Sequence, residues 1–174
     1  MKTKFLSLLI LFFLLSSCKK KITQFYMDFD STVVVESSLS SLVPISILTP
    51  DVATNSEFEF ENHDTRADRI NTIFLKDLKL TITSPSGETF SFINSLELYI
   101  SSPSFSEKKV AFKENIPSTA GKEIICDLVD LDLKDFIKED KFKLRLVSVS
   151  DETIPEDVTI NVYTNFLVDA KIKK

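Results

Sequence analysis

Asp28 and Asp30, one residue apart, are the pair whose type and spacing best suit chemistry. A carboxylate can attack as a covalent nucleophile while a second one handles the proton. That requires a cation to neutralise the substrate and a lysine to steady the attacking oxygen. His63 is the only histidine. It sits in Glu61-Asn62-His63-Asp64, where it could share a metal with Asp64 or Asp68. It lacks the further ligands that zinc demands, so it reads as a solvated loop residue. Cys126 falls between Ile124 and Leu128 on one strand face, the position of a small buried hydrophobe. A reactive thiol would need a base or cation beside it. Asp127, Asp130, Asp132 and Asp135 offer oxygens that suit calcium, but their spacing is not that of an EF-hand and no glycine marks the sharp turn. Carboxylates opposing the dipole at a helix start are the simpler reading. Tyr26, Tyr99 and Tyr163 lie opposite the apolar rows of their strands, and the chain has no tryptophan. They are the candidate platform for a stacked sugar, or else ordinary cross-strand packing.

The run Asp28-Phe29-Asp30-Ser31-Thr32-Val33 resembles the first motif of haloacid-dehalogenase-like phosphatases. The resemblance implies Asp28 as the phosphorylated nucleophile, Asp30 as acid and base, a bound Mg²⁺ and a parallel Rossmann-like sheet. The following residues depart from that pattern. Val33, Val34, Val35 and Glu36 lead into a serine-rich run, not an amphipathic helix. There is no Gly-Asp pair for the later acidic cluster, because Gly87 precedes Glu88 and Gly121 precedes Lys122. Residues 25–35 therefore read as a strand, with both carboxylates on the solvent face opposite Phe25, Met27 and Phe29.

Alternating patterns of this kind dominate the chain and mark strands with one buried face. Leu78, Leu80 and Ile82 form one row, Leu96, Leu98 and Ile100 a second, and Phe142, Leu144 and Leu146 a third. The longest runs Val158, Ile160, Val162, Thr164, Phe166, Val168. Val33 and Val35, then Val43, Ile45 and Ile47, give shorter ones, and Phe58 and Phe60 alternate with glutamates. Turn chemistry separates the rows at Thr49-Pro50-Asp51, Ser84-Pro85-Ser86-Gly87, Ser102-Pro103-Ser104 and Pro117-Ser118-Thr119-Ala120-Gly121. With only two glycines, turns must rely on Ser, Asp, Asn and Pro. One short helix is expected near 132–140, where Leu133, Phe136 and Ile137 follow helical spacing behind Asp132 as N-cap. The charged stretch 61–69 reads as an exposed loop with room for a helical turn. About 7–9 strands at this spacing predict a single all-β domain over 24–174, an antiparallel, immunoglobulin-like β-sandwich. Fifteen phenylalanines supply apolar bulk.

The N-terminus carries a different signal. Lys2 and Lys4 precede an almost unbroken apolar run from Phe5 to Leu15. That is signal-peptide length, short of the ~20 residues of a bilayer-spanning helix. Leu15-Ser16-Ser17-Cys18 follows, then Lys19, Lys20 and Lys21. Leu15-Ser16-Ser17-Cys18 resembles the lipobox of bacterial lipoproteins. The resemblance covers residues 1–18 and implies thioether lipidation of Cys18, cleavage before it and acylation of the new N-terminus. Residues 18–23 would be a lipidated, basic tether. Two or three acyl chains make an anchor effectively permanent where one does not. Lys19 is not the aspartate that retains such proteins at the inner membrane, which favours the outer membrane. In some Gram-negative lipoproteins an acidic stretch after the cysteine directs export to the surface; the stretch here is basic, so the resemblance implies a domain facing the periplasm over the cell surface.

Loss of Lys2 and Lys4 with the signal makes the mature chain more acidic than the precursor's net charge of −5. An acidic domain argues against a nucleic-acid partner. Of the two cysteines, lipidation consumes one, so the domain must be stabilised by packing rather than an intrachain disulfide. The sequence thus leads to a lipid-anchored envelope protein that is not an enzyme, needs no cofactor or metal, and presents a structural or interaction domain to another envelope protein. A glycan- or small-ligand-binding module is the alternative.

Overall fold

A computed structural model describes residues 22–37, 44–150 and 154–172. The N-terminal run, Cys18 and Val43 lie outside the described residues. The first sheet contains β1 (Ile22–Val35), β10 (Val158–Lys171), β4 (Ile70–Ser84) and β7 (Glu123–Ile125), in that order. The second contains β2 (Ile45–Leu48), β9 (Lys141–Ser150), β5 (Ile93–Ser101), β6 (Lys108–Lys113) and β8 (Asp127–Leu128), with β3 (Val52–Ala53) continuing the β2 side of β9. All pairings are antiparallel. The antiparallel sandwich expected from the alternating rows is present, and β1 starts at Ile22, within the residues read as tether.

The strand order refines the expected arrangement. Read from the edge where β1 meets β2, the sheets run β1-β10-β4-β7 and β2-β9-β5-β6, so partners across the sandwich are neighbours in sequence. This is the rolled-up, two-Greek-key order of a jelly roll, not the ABED/CFG order of an immunoglobulin domain. Alternation reveals which face of a strand is buried, but is silent on which strand lies beside it.

Inner rows from both sheets build the core. In β10, Val158, Ile160, Val162, Thr164, Phe166, Val168 and Ala170 are all buried. From β9, Phe142, Leu144 and Leu146 meet them across the layer. Phe29, Phe142 and Phe166 form a mutual edge-to-face cluster, with ring centroids 5.3 to 6.0 Å apart. Such offsets suit the aromatic quadrupole. Bulges keep the rows inward where the alternation slips. Ile73 and Leu75 are buried, then Leu78, Leu80 and Ile82, a change of parity that falls at the register shift opposite Asn165 and Phe166. The extra residue of a bulge swaps which parity faces the core.

Two segments differ from expectation. Phe58 and Phe60 lie not in a strand but in α1 (Ser56–Asn62). Ser56 and Phe60, one helical turn apart, are buried, while Phe58 points outward and is 64% exposed. The Glu-Phe alternation fits a strand, but spacing of four decides the packing here, and Glu57 and Glu59 suit the helix's positive end. A 3-10 turn, Ala67–Arg69, follows, the helical turn for which the loop reading of 61–69 left room. The helix expected near 132–140 is α2 (Lys134–Ile137). Its cap position is Leu133, not Asp132. The Asp132 carboxylate still accepts the first helical N–H, from Lys134 (3.1 Å), and also that of Ile73 (3.0 Å). Left-handed turn positions fall on Asn55, Asp64 and Asn115 and on neither glycine, as a glycine-poor chain requires.

Phe142→Ala removes the ring shared by the Phe29 and Phe166 contacts. It is expected to cost about 3–5 kcal/mol of stability, read as a lowered urea midpoint with an unchanged slope.

Candidate functional site

The side chains that could do chemistry project from the two outer faces of the sandwich and from one end. β1 and β10 pair without a register slip, which sets Asp28 opposite Asn165 and Asp30 opposite Tyr163 on the outer face of the first sheet. The Tyr163 hydroxyl donates to Asp28 Oδ1 at 2.8 Å, Asn165 donates to the same oxygen, and Asn161 donates to Asp30 at 2.8 Å. These carboxylates lie on the exposed face of an antiparallel sheet. The phosphatase arrangement needs them at the end of a parallel sheet beside a cation site. The fold therefore overturns that reading of Asp28 and Asp30.

The three tyrosines do not form one platform. Tyr26 and Tyr163 share the outer face of the first sheet, but Tyr26 pairs with Leu167, four residues along β10 from Tyr163. That is about 13 Å at strand rise, too far to hold one sugar ring between them. Tyr26 is 59% exposed. Tyr99 lies on the other outer face, in β5, inside a charged cluster that the sequence reading missed. Its hydroxyl donates to Glu97 (2.5 Å), which Lys109 also reaches (2.8 Å). The Arg145 guanidinium stacks 4.5 Å from the Tyr99 ring centre and grips Glu107 with two bonds, 2.8 and 2.7 Å. The signal for Arg145 was its outward place in the Lys143, Arg145 alternation, but only the β5–β9 pairing puts Tyr99 directly opposite it.

At the end of the sandwich, Asp51, Ser101, Ser102, Pro103, Lys141, Phe142 and Lys143 line a hollow of about 290 Å³. Asp51 bridges Lys141 (2.5 Å) and Lys143 (3.3 Å) there. Between the sheets, a hollow lined by Leu80, Phe90, Leu146 and Ile160 measures about 10 Å³. That is room for one water at most, so a small apolar ligand has no space there.

His63 is not a loop residue in water. It follows α1, stacks on Phe25 at 3.8 Å, and its Nδ1 lies 2.8 Å from the Glu59 carbonyl oxygen. Among the described residues no group of three or more His, Cys, Asp or Glu side chains could hold a metal ion. Asp127, Asp130, Asp132 and Asp135 are dispersed, with Asp127 near Lys113 and Asp132 paired to Lys134. Cys126 is buried where the chain crosses from β7 in one sheet to β8 in the other, its N–H donating to the Leu78 carbonyl.

Protonation equilibria follow from these pairings. The Lys141 ammonium holds Asp51 below the usual carboxylate range, Lys109 does so for Glu97, and Arg145 for Glu107. Burial opposes the charge on Asp132, but the Ile73 N–H and Lys134 outweigh it and its pKa is also lowered. Tyr99 is raised by Glu97, and Tyr163 by Asp28. Burial pushes the Cys126 thiol up to about 12. Every one of these shifts moves away from neutrality, the opposite of what acid–base or thiolate catalysis requires.

No protein-family model matches the chain, and no curated protein matches it. Among solved structures it is similar to a decameric BFDV capsid protein. The likeness has a TM-score of 0.43 and 10% identity, and spans 87% of this chain and 100% of that one. A score of that size carries no weight for function.

Cys126 is expected to stay unreactive toward a disulfide reagent at pH 8 in the folded protein and to react fully in urea. The raised thiol also predicts a sign. The folded state holds the proton more tightly than the unfolded one, so stability falls as pH rises above about 9. Cys126→Ala should flatten that slope in urea titrations.

Proposed function

We propose that this chain is a lipid-anchored protein of the cell envelope, whose sandwich is a non-catalytic structural or interaction domain. The anchor is acyl chains on Cys18, the membrane is the outer one, and the domain faces the periplasm. The single observation that carries this reading is Leu15-Ser16-Ser17-Cys18 behind a lysine-led apolar run, ending four residues before β1 begins at Ile22. The tether is thus short, about 14 Å when fully extended. That length keeps the end of the sandwich bearing Ile22 close to the head groups. The non-catalytic part draws support from the outer-face pairs Tyr163–Asp28 and Tyr99–Glu97, in which both phenols are raised and Glu97 is lowered, each away from neutrality.

The native product is expected to begin at Cys18 and to carry acyl groups by mass spectrometry, while Cys18→Ser leaves the protein unacylated and outside the membrane fraction. An unprocessed start, or a bare thiol at position 18, ends the proposal. Asp28→Asn should leave hydrolysis of p-nitrophenyl phosphate at the level of wild type, itself no faster than buffer. A loss of measurable turnover on that change would reinstate the enzyme.

Sugar binding is the second reading, favoured by the exposure of Tyr26 alone. On this reading Tyr26→Ala abolishes retention on a glycan array, and a wild-type protein that binds no glycan removes it.

A further inference from the structure

Sheet edges carry unpaired N–H and C=O groups, and proteins blunt them with proline, charged side chains (lysine above all), bulges or brevity. Among the described residues, three of the four sheet edges are blunted. The β2 side is broken at Thr49-Pro50-Asp51 before β3, β7 has three residues and β8 has two. The fourth is β1, fourteen residues long, without Pro, Lys or Gly, charged only at Asp28 and Asp30, and paired to β10 without a single register shift. Among the described residues, no backbone–backbone hydrogen bond reaches β1 beyond its ladder with β10. Every second residue of an antiparallel strand directs both its backbone groups to the same side, so about half of β1 presents an open ladder.

Side chains along that edge select the occupant. Outward in β1 stand Gln24, Tyr26, Asp28, Asp30, Thr32 and Val34, an acidic centre with no cation of its own strand. The donors on β10 that hold Asp28 and Asp30 are neutral, so the negative charge persists. On the inward side, Phe29 of β1 and Ile47 of β2 are only partly buried where β1 approaches β2 and β3. Self-pairing is disfavoured. The antiparallel registers of greatest overlap set Asp28 opposite Asp28 of a second copy, or opposite its Asp30, and like charges directly opposed are destabilising.

We propose that β1 is a strand-addition site for an extended segment of a partner protein, with lysine or arginine at alternate positions and apolar residues between them. The basic residues would face Asp28 and Asp30, and the apolar ones would cover Phe29 and Ile47. This rests on the interaction role proposed above and names its surface. It is measured without reference to the Cys18 modification, so the two ideas fail separately.

The test uses the full-length chain in mild detergent and a synthetic peptide of about ten alternating valines and lysines. Hydrogen exchange should show rapid exchange at alternate β1 amides in the free protein and slowing at those amides when peptide is added. A valine–glutamate peptide should bind at least tenfold more weakly, and Asp28→Lys combined with Asp30→Lys should reverse the preference. Thr32→Lys, which leaves the Asp28 and Asp30 hydrogen bonds intact, should weaken the lysine peptide without affecting the fold. Slow β1 exchange before peptide is added, equal binding of both peptides, protection mapping elsewhere, or a concentration-dependent dimer protecting β1 would each overturn the proposal.

Discussion

Two sheet faces must be kept dry against each other, and the two-residue period of a strand means that every inward residue commits its neighbours to the outside. β10 shows the constraint most directly. Its inward row is buried from Val158 to Ala170, and its outward row supplies Asn161, Tyr163 and Asn165, which hold Asp28 and Asp30. The polar surface chemistry is therefore a consequence of core packing. Where the pleat and the core fall out of step, as in β4 between Leu75 and Leu78, the backbone bulges and the core is preserved.

That division explains the character of the outer faces. On the second sheet the charges are solvated and matched within a few ångströms, as in Glu97, Lys109, Arg145 and Glu107 around Tyr99, whereas Asp28 and Asp30 on the first are held by neutral donors. Exposed pairs of this type contribute little to stability, but they hold carboxylates ionised and phenols protonated throughout the physiological range. Glu97 and Glu107 are lowered and Tyr99 and Tyr163 raised by these partners. The buried thiol of Cys126 keeps its proton for the other reason, loss of solvent. The strand addition proposed for β1 draws on a different feature, an edge ladder beside two carboxylates that meet only neutral donors.

Alternation identified the strands and their buried faces, including β5, β9 and β10, and the apolar and turn residues placed α2 to within a few positions. It misled at Phe58 and Phe60, where a glutamate between phenylalanines satisfies either period and the burial of Ser56 with Phe60 made the choice. It placed Tyr26, Tyr99 and Tyr163 on outward faces, but could not tell that two belong to one sheet and the third to the other. His63 looked solvated because its partner, Phe25, is far away in sequence.

By itself the sequence determined an all-β chain with inward apolar rows, turns built from Asn, Asp, Ser and Pro, and an acidic surface. These are local properties, set by residue type and by the two-residue period. Only the tertiary structure decided the jelly-roll strand order, the pairing of Arg145 with Tyr99 and of Asp28 with Tyr163, and the exposure of β1 as an edge. Each of these depends on which distant strands meet, and the free energy of that choice comes from burying whole faces together, a quantity no single segment contains.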